Sequence, residues 1–259
     1  MKLAERVAVV VGASSGIGLA VARALAAEGA RVHALARRAD LIERTERIMP
    51  RRLDATDERA VAAFFAELDD VDVLVYAAGT NVKNRALAEL DAGAWRTMVE
   101  TNLSGAVHVL RAALPALRRR RGQAVLIASV SGRWPDGSGP GYQATKAGVR
   151  ALAHGLAFEE HQSGVRVCAI LPGAVDTPLI DKRPVAPAAG VRERMLRAED
   201  VAAACVFVVT LPARAYVPEL VILPDGAAGD RPRPHPLRRQ GRTRIRYFGS
   251  SSKAAELMQ

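Results

Sequence analysis

The sequence of 259 residues is poor in aromatic side chains and in cysteine. Aromatic residues make up 4% of the chain, so its core must consist mainly of alanine, valine and leucine. The two cysteines, Cys168 and Cys205, are too few for a disulfide framework and have no metal-ligand spacing, which indicates a reducing compartment. The five histidines form no zinc-type cluster, and we predict no metal site.

The chain also lacks a hydrophobic run long enough for a membrane span. The apolar stretch 201–211 is too short to cross a bilayer and contains Thr210. The first apolar run, Val7–Val11, leads directly into glycines, which is typical of a buried strand and not of a signal peptide. We therefore expect a cytoplasmic protein without membrane contact.

A glycine-rich turn follows this first predicted strand, and apolar residues at helical spacing follow the turn. Glycines at positions 12, 16 and 18 let the backbone approach a pyrophosphate, to which the helix N-terminus would present its free N–H groups. The spacing is Gly-x-x-x-Gly-x-Gly, and no Gly-Lys-Ser/Thr follows, which excludes a nucleotide-triphosphatase loop. Alternatively, these glycines serve only close packing between the helix and the strand.

A second group of residues predicts proton transfer. Tyr142 and Lys146 are four residues apart and would share one face of a helix, where the lysine cation favours the phenolate and lowers the pKa of the tyrosine. Ser129, thirteen residues upstream, could hydrogen-bond a carbonyl or alcohol oxygen. The alternative is a surface tyrosine beside a solvated lysine.

Six motifs in order, from about Leu3 to Pro224, resemble those of the short-chain dehydrogenase/reductase family. Besides the glycine turn and the Ser-Tyr-Lys set, the matching segments are Leu53-Asp54, Tyr76-Ala77-Ala78-Gly79, Thr101-Asn102 and Pro172-Gly173-Ala174-Val175-Asp176-Thr177. The segment Tyr76-Ala77-Ala78-Gly79 departs from the family's Asn-Asn-Ala-Gly. Since Tyr76 and Ala77 replace both asparagines, we expect the turn to lose polar bracing and local rigidity.

The resemblance implies a role for each matching residue. Tyr142 would be the general acid in reduction and the base in oxidation, Lys146 would lower its pKa and bind the nicotinamide ribose, Ser129 would polarise the substrate oxygen, and Asn102 would hold a proton-relay water. The residues expected to bind the cofactor are Gly12, Ser14, Ser15, Gly16, Ile17, Gly18, Arg37, Arg38, Asp54, Ala78, Tyr142, Lys146, Val175 and Thr177.

The second predicted strand, Arg31–Ala36, indicates which cofactor is used. A carboxylate at its end would bind the ribose 2′-hydroxyl of NAD, whereas an arginine suits the 2′-phosphate of NADP. Ala36 offers no carboxylate, and Arg37 follows at once, with Ser14 as a further donor. We therefore predict NADP in preference to NAD, unless the arginines are merely solvated.

Predicted strands and helices alternate along the chain, which favours a single α/β domain over residues 1–228. We expect a Rossmann-type, doubly wound parallel sheet with helices on both faces. The further predicted strands are 71–76, 123–128, 165–171 and 220–223, and the further predicted helices are 58–68, 92–121 (a pair at least) and 143–162.

Two segments are expected to border the substrate. The stretch 176–195 is a predicted lid, and its Arg183, Arg192 and Arg194 could attract an acidic substrate or simply be solvated. The stretch 132–141 carries Trp134, a candidate apolar wall.

The segment 229–259 forms a separate basic tail rich in proline and arginine, which we predict to be disordered or extended. We do not expect it to bind nucleic acid specifically. By resemblance to the family we expect a homodimer or homotetramer that contacts through helices 104–121 and 143–162.

The sequence thus predicts an NADP-dependent oxidoreductase acting on a carbonyl or secondary alcohol, with a 3-oxoacyl carrier reductase as the nearest rival within that class. The alternative from another class is a catalytically idle, cofactor-binding regulator or scaffold whose basic tail binds a polyanion.

Overall fold

Seven parallel strands form one sheet in the computed structural model, which describes residues 1–225. The strands are β1 Val7–Val11, β2 Arg31–Ala36, β3 Ile48–Arg52, β4 Val73–Tyr76, β5 Gln123–Ile127, β6 Arg166–Pro172 and β7 Glu219–Ile222. The helices are α1 Gly16–Ala27, α2 Glu58–Ala66, α3 Ala92–Val99, α4 Gly105–Arg120, α5 Pro140–Glu159, α6 Ala189–Arg192 and α7 Ala198–Val209. The strand order is β3-β2-β1-β4-β5-β6-β7, which confirms the doubly wound sheet.

Helices cover both faces of the sheet, and each face has its own hydrophobic core. Helices α1 and α7 pack on one face, while α2, α4 and α5 pack on the other. Successive side chains of β1 alternate between the two cores, with Ala8 and Val10 in the first and Val9 and Val11 in the second. A strand buried on both faces has to be apolar throughout, which explains its continuous hydrophobic run.

Strand β3 was not predicted from the sequence. It is an edge strand that pairs with β2 alone, and it contains Pro50, Arg51 and Arg52. Proline cannot donate to a sheet ladder and is therefore confined to edges, where charged side chains also reach solvent. These residues conceal the strand pattern because the strand needs only one apolar face.

The helical stretch after β4 consists of two helices joined without a break. Asp91 caps α3 by accepting a hydrogen bond from the Ala94 N–H at 2.8 Å. Between α3 and α4 lies a π-helical turn, Glu100–Ser104, which contains Asn102. Such turns are rare in proteins, and those that occur are often found at functional sites.

The strand order reverses at β1, which pairs with β2 on one side and with β4 on the other. Because all strands are parallel, their carboxyl ends meet at one edge of the sheet. The glycine turn and the loops after β4, β5 and β6 therefore converge there, where open α/β sheets bind ligands.

No helix within residues 1–225 is both long and apolar enough to span a lipid bilayer. The predicted boundary at residue 228 and the basic tail 229–259 lie outside the described residues.

Candidate active site

The turn between β1 and α1 requires glycine at specific positions. Gly12 has φ +87°, and a Cβ there would lie 2.5 Å from the backbone nitrogen of Ala78. A Cβ on Gly18 would lie 2.2 Å from the carbonyl oxygen of Gly12. The glycines therefore allow close packing of α1 and of the loop after β4 against the turn.

The N-terminus of α1 is open to an anion. Ser15 precedes the helix and makes no side-chain capping bond, and the first turn carries no acidic residue. The first N–H groups of the helix therefore have no side-chain acceptor and are available to a phosphate. Ser14 and Ile17 lie in the same half-buried segment.

Four exposed arginines stand at the carboxyl ends of β2 and β3. Arg37 and Arg38 follow Ala36, and Arg52 pairs with Ala36 in the sheet register, next to Arg51. None of the four forms an ion pair with a carboxylate in residues 1–225. The next loop holds Asp54, which accepts two hydrogen bonds from Thr56.

Ser129 and Tyr142 come from different elements and line the same pocket. Ser129 follows β5, where its hydroxyl accepts from the Ser131 N–H and donates to the Ser131 hydroxyl, both at 3.1 Å. Tyr142 lies in the first turn of α5 and is 8% exposed.

Lys146 lies one turn after Tyr142 and is buried. Its Nζ donates to the carbonyl oxygen of Ile127 at 2.8 Å and is 5.8 Å from the centroid of the Tyr142 ring. Gly79 makes room for this ammonium, because a Cβ there would lie 3.3 Å from Nζ. Burial lowers the pKa of Lys146 to about 8.

Tyr142 does not have the lowered pKa that the sequence predicted. Burial raises the pKa of its hydroxyl to about 12; Ser129 acts against this rise, Asp136 adds to it and Arg85 lowers it. Desolvation outweighs the neighbouring charges, since a phenolate is costly in a buried position. The hydroxyl is therefore protonated at neutral pH and acts as a hydrogen-bond donor.

Asn102 joins the loop after β4 to α5. Its side chain is fully buried; Oδ1 accepts from the Thr80 N–H at 2.7 Å, and Nδ2 donates to the Thr80 carbonyl at 3.0 Å and to the Thr145 hydroxyl at 2.9 Å. Thr145 in turn donates to the carbonyl of Tyr142. Both amide hydrogens are used within the protein, so Asn102 fixes the position of the helix that carries Tyr142.

The expected loss of polar bracing at Tyr76 and Ala77 is wrong. The buried Tyr76 hydroxyl donates to the backbone carbonyl of Thr101 at 2.6 Å, inside the π-helical turn. Gly105 leaves space for this contact, because a Cβ there would lie 2.5 Å from the phenolic oxygen. A tyrosine therefore supplies the brace, from the strand directly to the turn that carries Asn102.

The pocket beside Tyr142 has a volume of about 120 Å³. The predicted lid contributes Thr177, Leu179, Ile180 and Arg183 to its lining, and Val175 joins them from the loop after β6. Val175 pairs with Leu196, which closes the base of the lid. Thr177 also packs near Gly16, so the lid connects the glycine turn to the pocket.

One expectation for the pocket is wrong, and the open question about the lid arginines is answered for two of them. Trp134 does not line the pocket; the residue is 39% exposed, and its ring lies under the guanidinium of Arg133. Arg192 pairs with Asp176 and Asp181 outside the pocket, and the exposed Arg194 is not among the lining residues.

The sequence did not indicate several polar residues of the pocket. They are Asn81, Arg85 and Ser131, whereas Asp136 and Ser138 belong to the stretch 132–141 that was expected to border the substrate. Asn81 and Arg85 lie in a loop without periodicity and Ser131 lies in a short 3-10 turn, so their closeness in sequence to Gly79 and Ser129 was the one available signal.

Comparisons with known proteins agree with this geometry. The family model for short chain dehydrogenases matches residues 6–186. A cis-4-hydroxycyclohexanecarboxylate dehydrogenase from Sinomonas cyclohexanicum is 38% identical over 243 residues, covering 86% of this chain and 96% of that protein.

Two solved structures share the fold. The closed form of serine dehydrogenase complexed with NADP+ has a TM-score of 0.76 and 31% identity, covering 83% of this chain and 94% of that chain. The 3-ketoacyl-(acyl-carrier-protein) reductase from Brucella melitensis, complexed with NADH, has a TM-score of 0.76 and 26% identity, covering 85% and 98%. The chain belongs to the short-chain dehydrogenase family of oxidoreductases.

Proposed function

We propose that the protein is an NADP-dependent oxidoreductase that interconverts a carbonyl compound and a secondary alcohol, with Tyr142 as the acid or base. The observation that supports this most directly is the composition of one pocket. Ser129 and Tyr142 line it together with Ile17 of the glycine turn and with Val175 and Thr177 of the lid region. A proton donor and a dinucleotide-type turn therefore border the same small space.

The residues around the turn fit a nicotinamide dinucleotide. Gly12 and Gly18 bring the backbone close, and the N-terminus of α1 offers N–H groups without side-chain acceptors. When bound, this cofactor supplies or accepts the hydride, and the protein supplies position and electrostatics.

Tyr142 then manages the proton. Its hydroxyl is protonated at neutral pH and can donate to the substrate oxygen, giving up the proton as the alcohol forms. The Ser129 hydroxyl can rotate from Ser131 to the same oxygen and stabilise its developing charge. Lys146, a buried cation at pH 7, favours the tyrosinate left behind.

Replacing Tyr142 with phenylalanine tests this mechanism. We expect Tyr142→Phe to lower kcat about 10²- to 10⁴-fold, since it removes the general acid. Fluorescence titration with NADPH should show that the variant still binds the cofactor, which would exclude misfolding. Wild-type turnover by Tyr142→Phe would rule out the proposed role.

The preference for NADP is supported by the arginines at the ends of β2 and β3. Arg37 and Arg38 follow a strand that ends in Ala36 and not in a carboxylate, and Arg52 lies beside them in the sheet register. A planar guanidinium holds a phosphate through two hydrogen bonds, which suits the 2′-phosphate of NADP.

A parallel titration with NADPH and NADH measures this preference. We expect the wild type to bind NADPH more tightly than NADH. Arg37→Glu should lower this preference about tenfold or more, because it replaces a cation with an anion. Arg214→Glu, at an exposed position between α7 and β7, is the matched charge control and should retain the preference. Equal affinity of the wild type for both cofactors would contradict the proposal.

We also propose a homodimer or homotetramer. Helix α5 exposes Phe158 (86%), and α7 exposes Phe207 (53%), so both helices present apolar surface to solvent. Sedimentation of the purified protein measures the assembly directly, and a monomer at micromolar concentration would contradict it.

A further inference from the structure

Arg85 is a buried cation in the wall of the pocket. It lies in the loop between β4 and α3 and is 9% exposed. Its Nε donates to the Val82 carbonyl at 3.1 Å, and its Nη2 donates to the Lys182 carbonyl at 2.6 Å. Nη1 makes no hydrogen bond with any residue from 1 to 225, and no carboxylate in this range forms an ion pair with the guanidinium.

A buried guanidinium without an anionic partner is unusual, because removing a charge from water is costly unless an opposite charge accompanies it. Burial, and next the positive charge of Arg183, lower the pKa of Arg85, while the Asp136 carboxylate acts in the opposite direction. Both arginines line the pocket. A bound anion would relieve both effects at once.

The carboxylate that the pocket contains is already engaged. Asp136 accepts from the Ser131 hydroxyl at 2.5 Å and from the Ser138 N–H at 2.8 Å. It is the one acidic residue among those that line the pocket, against the two arginines. The wall therefore retains an excess positive charge facing the ligand.

The two arginines are also joined to the catalytic residues. Arg85 holds the Lys182 carbonyl, directly before Arg183 in the lid, and the Lys182 ammonium donates to the Thr80 hydroxyl at 2.7 Å. Thr80 is in turn held by Asn102 through two hydrogen bonds. An anion between the arginines would thus be placed at a fixed position relative to the pocket wall.

We propose that the substrate is a small hydroxy acid, or the corresponding oxo acid, whose anionic group binds Arg85 and Arg183 while its hydroxyl or carbonyl faces Tyr142 and Ser129. This inference rests on the function proposed above and names the substrate class of that site. The planar fork of an arginine pairs with an oxyanion through two hydrogen bonds, so Arg85 determines specificity for a carboxylate or a group of the same geometry.

The first test compares acids with their neutral amides. Oxidation by NADP is measured for 2-hydroxypropanoate, 3-hydroxybutanoate and 4-hydroxypentanoate and for the three corresponding amides. For the acid of optimal length we expect kcat/KM about a hundredfold above that of its amide. Equal values for acid and amide at every length, or faster reduction of a 3-oxoacyl thioester than of any oxo acid, would overturn the inference.

Substitutions assign the preference to Arg85. In Arg85→Gln, kcat/KM for the acid should fall about a hundredfold, mostly through KM, while the value for the amide should change by less than about threefold. Arg85→Lys should restore part of the preference because it restores the charge. If Arg85→Gln lowers kcat/KM equally for the acid and the amide, the residue serves only to hold the carbonyls of Val82 and Lys182, and the inference fails.

Arg183→Gln provides a second variant that leaves the backbone contacts of Arg85 in place, and we expect it to lower the acid's kcat/KM about tenfold. Arg194→Gln is the matched control, since Arg194 is an exposed lid arginine outside the pocket lining. It should leave both substrates unchanged.

A binding measurement separates this inference from the proposed function. Calorimetric titration of the protein with butanoate and with butanamide, in the presence of NADP, requires no turnover. Binding of butanoate to the wild type but not to Arg85→Gln, without oxidation of any alcohol, would support the anion site and contradict the proposed reaction. Turnover of alcohols with no measurable binding of butanoate would support the reaction and overturn the anion site.

Discussion

The hydroxyl of Tyr76 donates a 2.6 Å hydrogen bond to the backbone carbonyl of Thr101, and so ties the end of β4 to the π-helical turn that carries Asn102. The tyrosine is fully buried, and burial raises the pKa of its hydroxyl, so the group remains a donor at neutral pH. Removing this donor leaves the Thr101 carbonyl without its side-chain partner.

We therefore expect Tyr76→Phe to lower the free energy of unfolding by about 1–2 kcal/mol and kcat by roughly three- to tenfold, because Asn102 and helix α5, which carries Tyr142, lose a support. Thermal unfolding and steady-state rates measure the two effects. Tyr216→Phe is the matched control, since Tyr216 donates to the Val167 carbonyl at 2.7 Å but is half-exposed and away from the pocket. An equal fall in kcat for both variants would contradict the role given to Tyr76.

The pKa of Tyr142 predicts a different pH dependence for each direction of the reaction. Its pKa is raised to about 12 by burial, so the acid form needed for reduction is present throughout the neutral range. Oxidation needs the base form, whose fraction grows about tenfold per pH unit below the pKa.

The oxidation rate should therefore rise from pH 6 to pH 8 while reduction stays level. Above pH 8 the rise should flatten, because Lys146 then loses the charge that favours the tyrosinate. Rates in both directions from pH 6 to pH 10, at saturating cofactor, give the profiles. An oxidation rate that falls between pH 6 and pH 8 would be incompatible with Tyr142 as the base.

Lys146 should destabilise the fold at neutral pH. Burial lowers its pKa from 10.5 to about 8, so the folded state releases the proton at a lower pH than the unfolded state. Below pH 8 the charged ammonium lowers the free energy of unfolding by about 3 kcal/mol, and this destabilisation disappears as the pH rises towards 10.5.

Lys146→Met should then raise the thermal unfolding midpoint at pH 7, because it removes the buried charge. The variant also loses the hydrogen bond to the Ile127 carbonyl, so we expect a net rise of only a few degrees. This rise should become smaller towards pH 10. Differential scanning calorimetry at both pH values measures it. The exposed Lys83, substituted in the same way, should show no such pH-dependent difference. A gain in Lys146→Met that is the same at both pH values would contradict the assigned cause.

Two helical glycines should respond oppositely to alanine. A Cβ on Gly18 would lie 2.2 Å from the Gly12 carbonyl oxygen, whereas a Cβ on Gly155 would meet no atom within 4 Å. We expect Gly18→Ala to destabilise the fold by more than 2 kcal/mol and to weaken NADPH binding, and Gly155→Ala to stabilise it by about 1 kcal/mol through helix propensity. Chemical denaturation of both variants provides the comparison, and equal effects would show that the turn tolerates a Cβ.

Sequence patterns located the central strands well. Strands β1 and β2 begin and end at the residues that their apolar runs indicated, because a strand buried on both faces has few other solutions. The edge strand β3 escaped detection, since Pro50 and the arginines after it look like a loop when the partner strand is unknown.

The candidate site divides in the same way. Tyr142 and Lys146 are predictable because one helix fixes their spacing, and Ser129 because it ends a strand. The position of Arg85 is not predictable from the sequence. Its guanidinium is held at the pocket by a hydrogen bond to the carbonyl of Lys182, 97 positions along the chain. This contact exists only once the lid has folded over the loop. The direction of the Tyr142 pKa shift was predicted wrongly for a related reason, because the spacing of charges along a helix gives no information on burial.

The edge strand β3 has a consequence for how copies of this chain can meet. Pro50 deprives that edge of a donor, and the adjoining Arg51 and Arg52 would repel the same residues of a second copy. Strand-to-strand growth into fibres is therefore blocked on this side of the sheet, and the charge that would hold a phosphate also protects the protein from aggregation through its outermost strand.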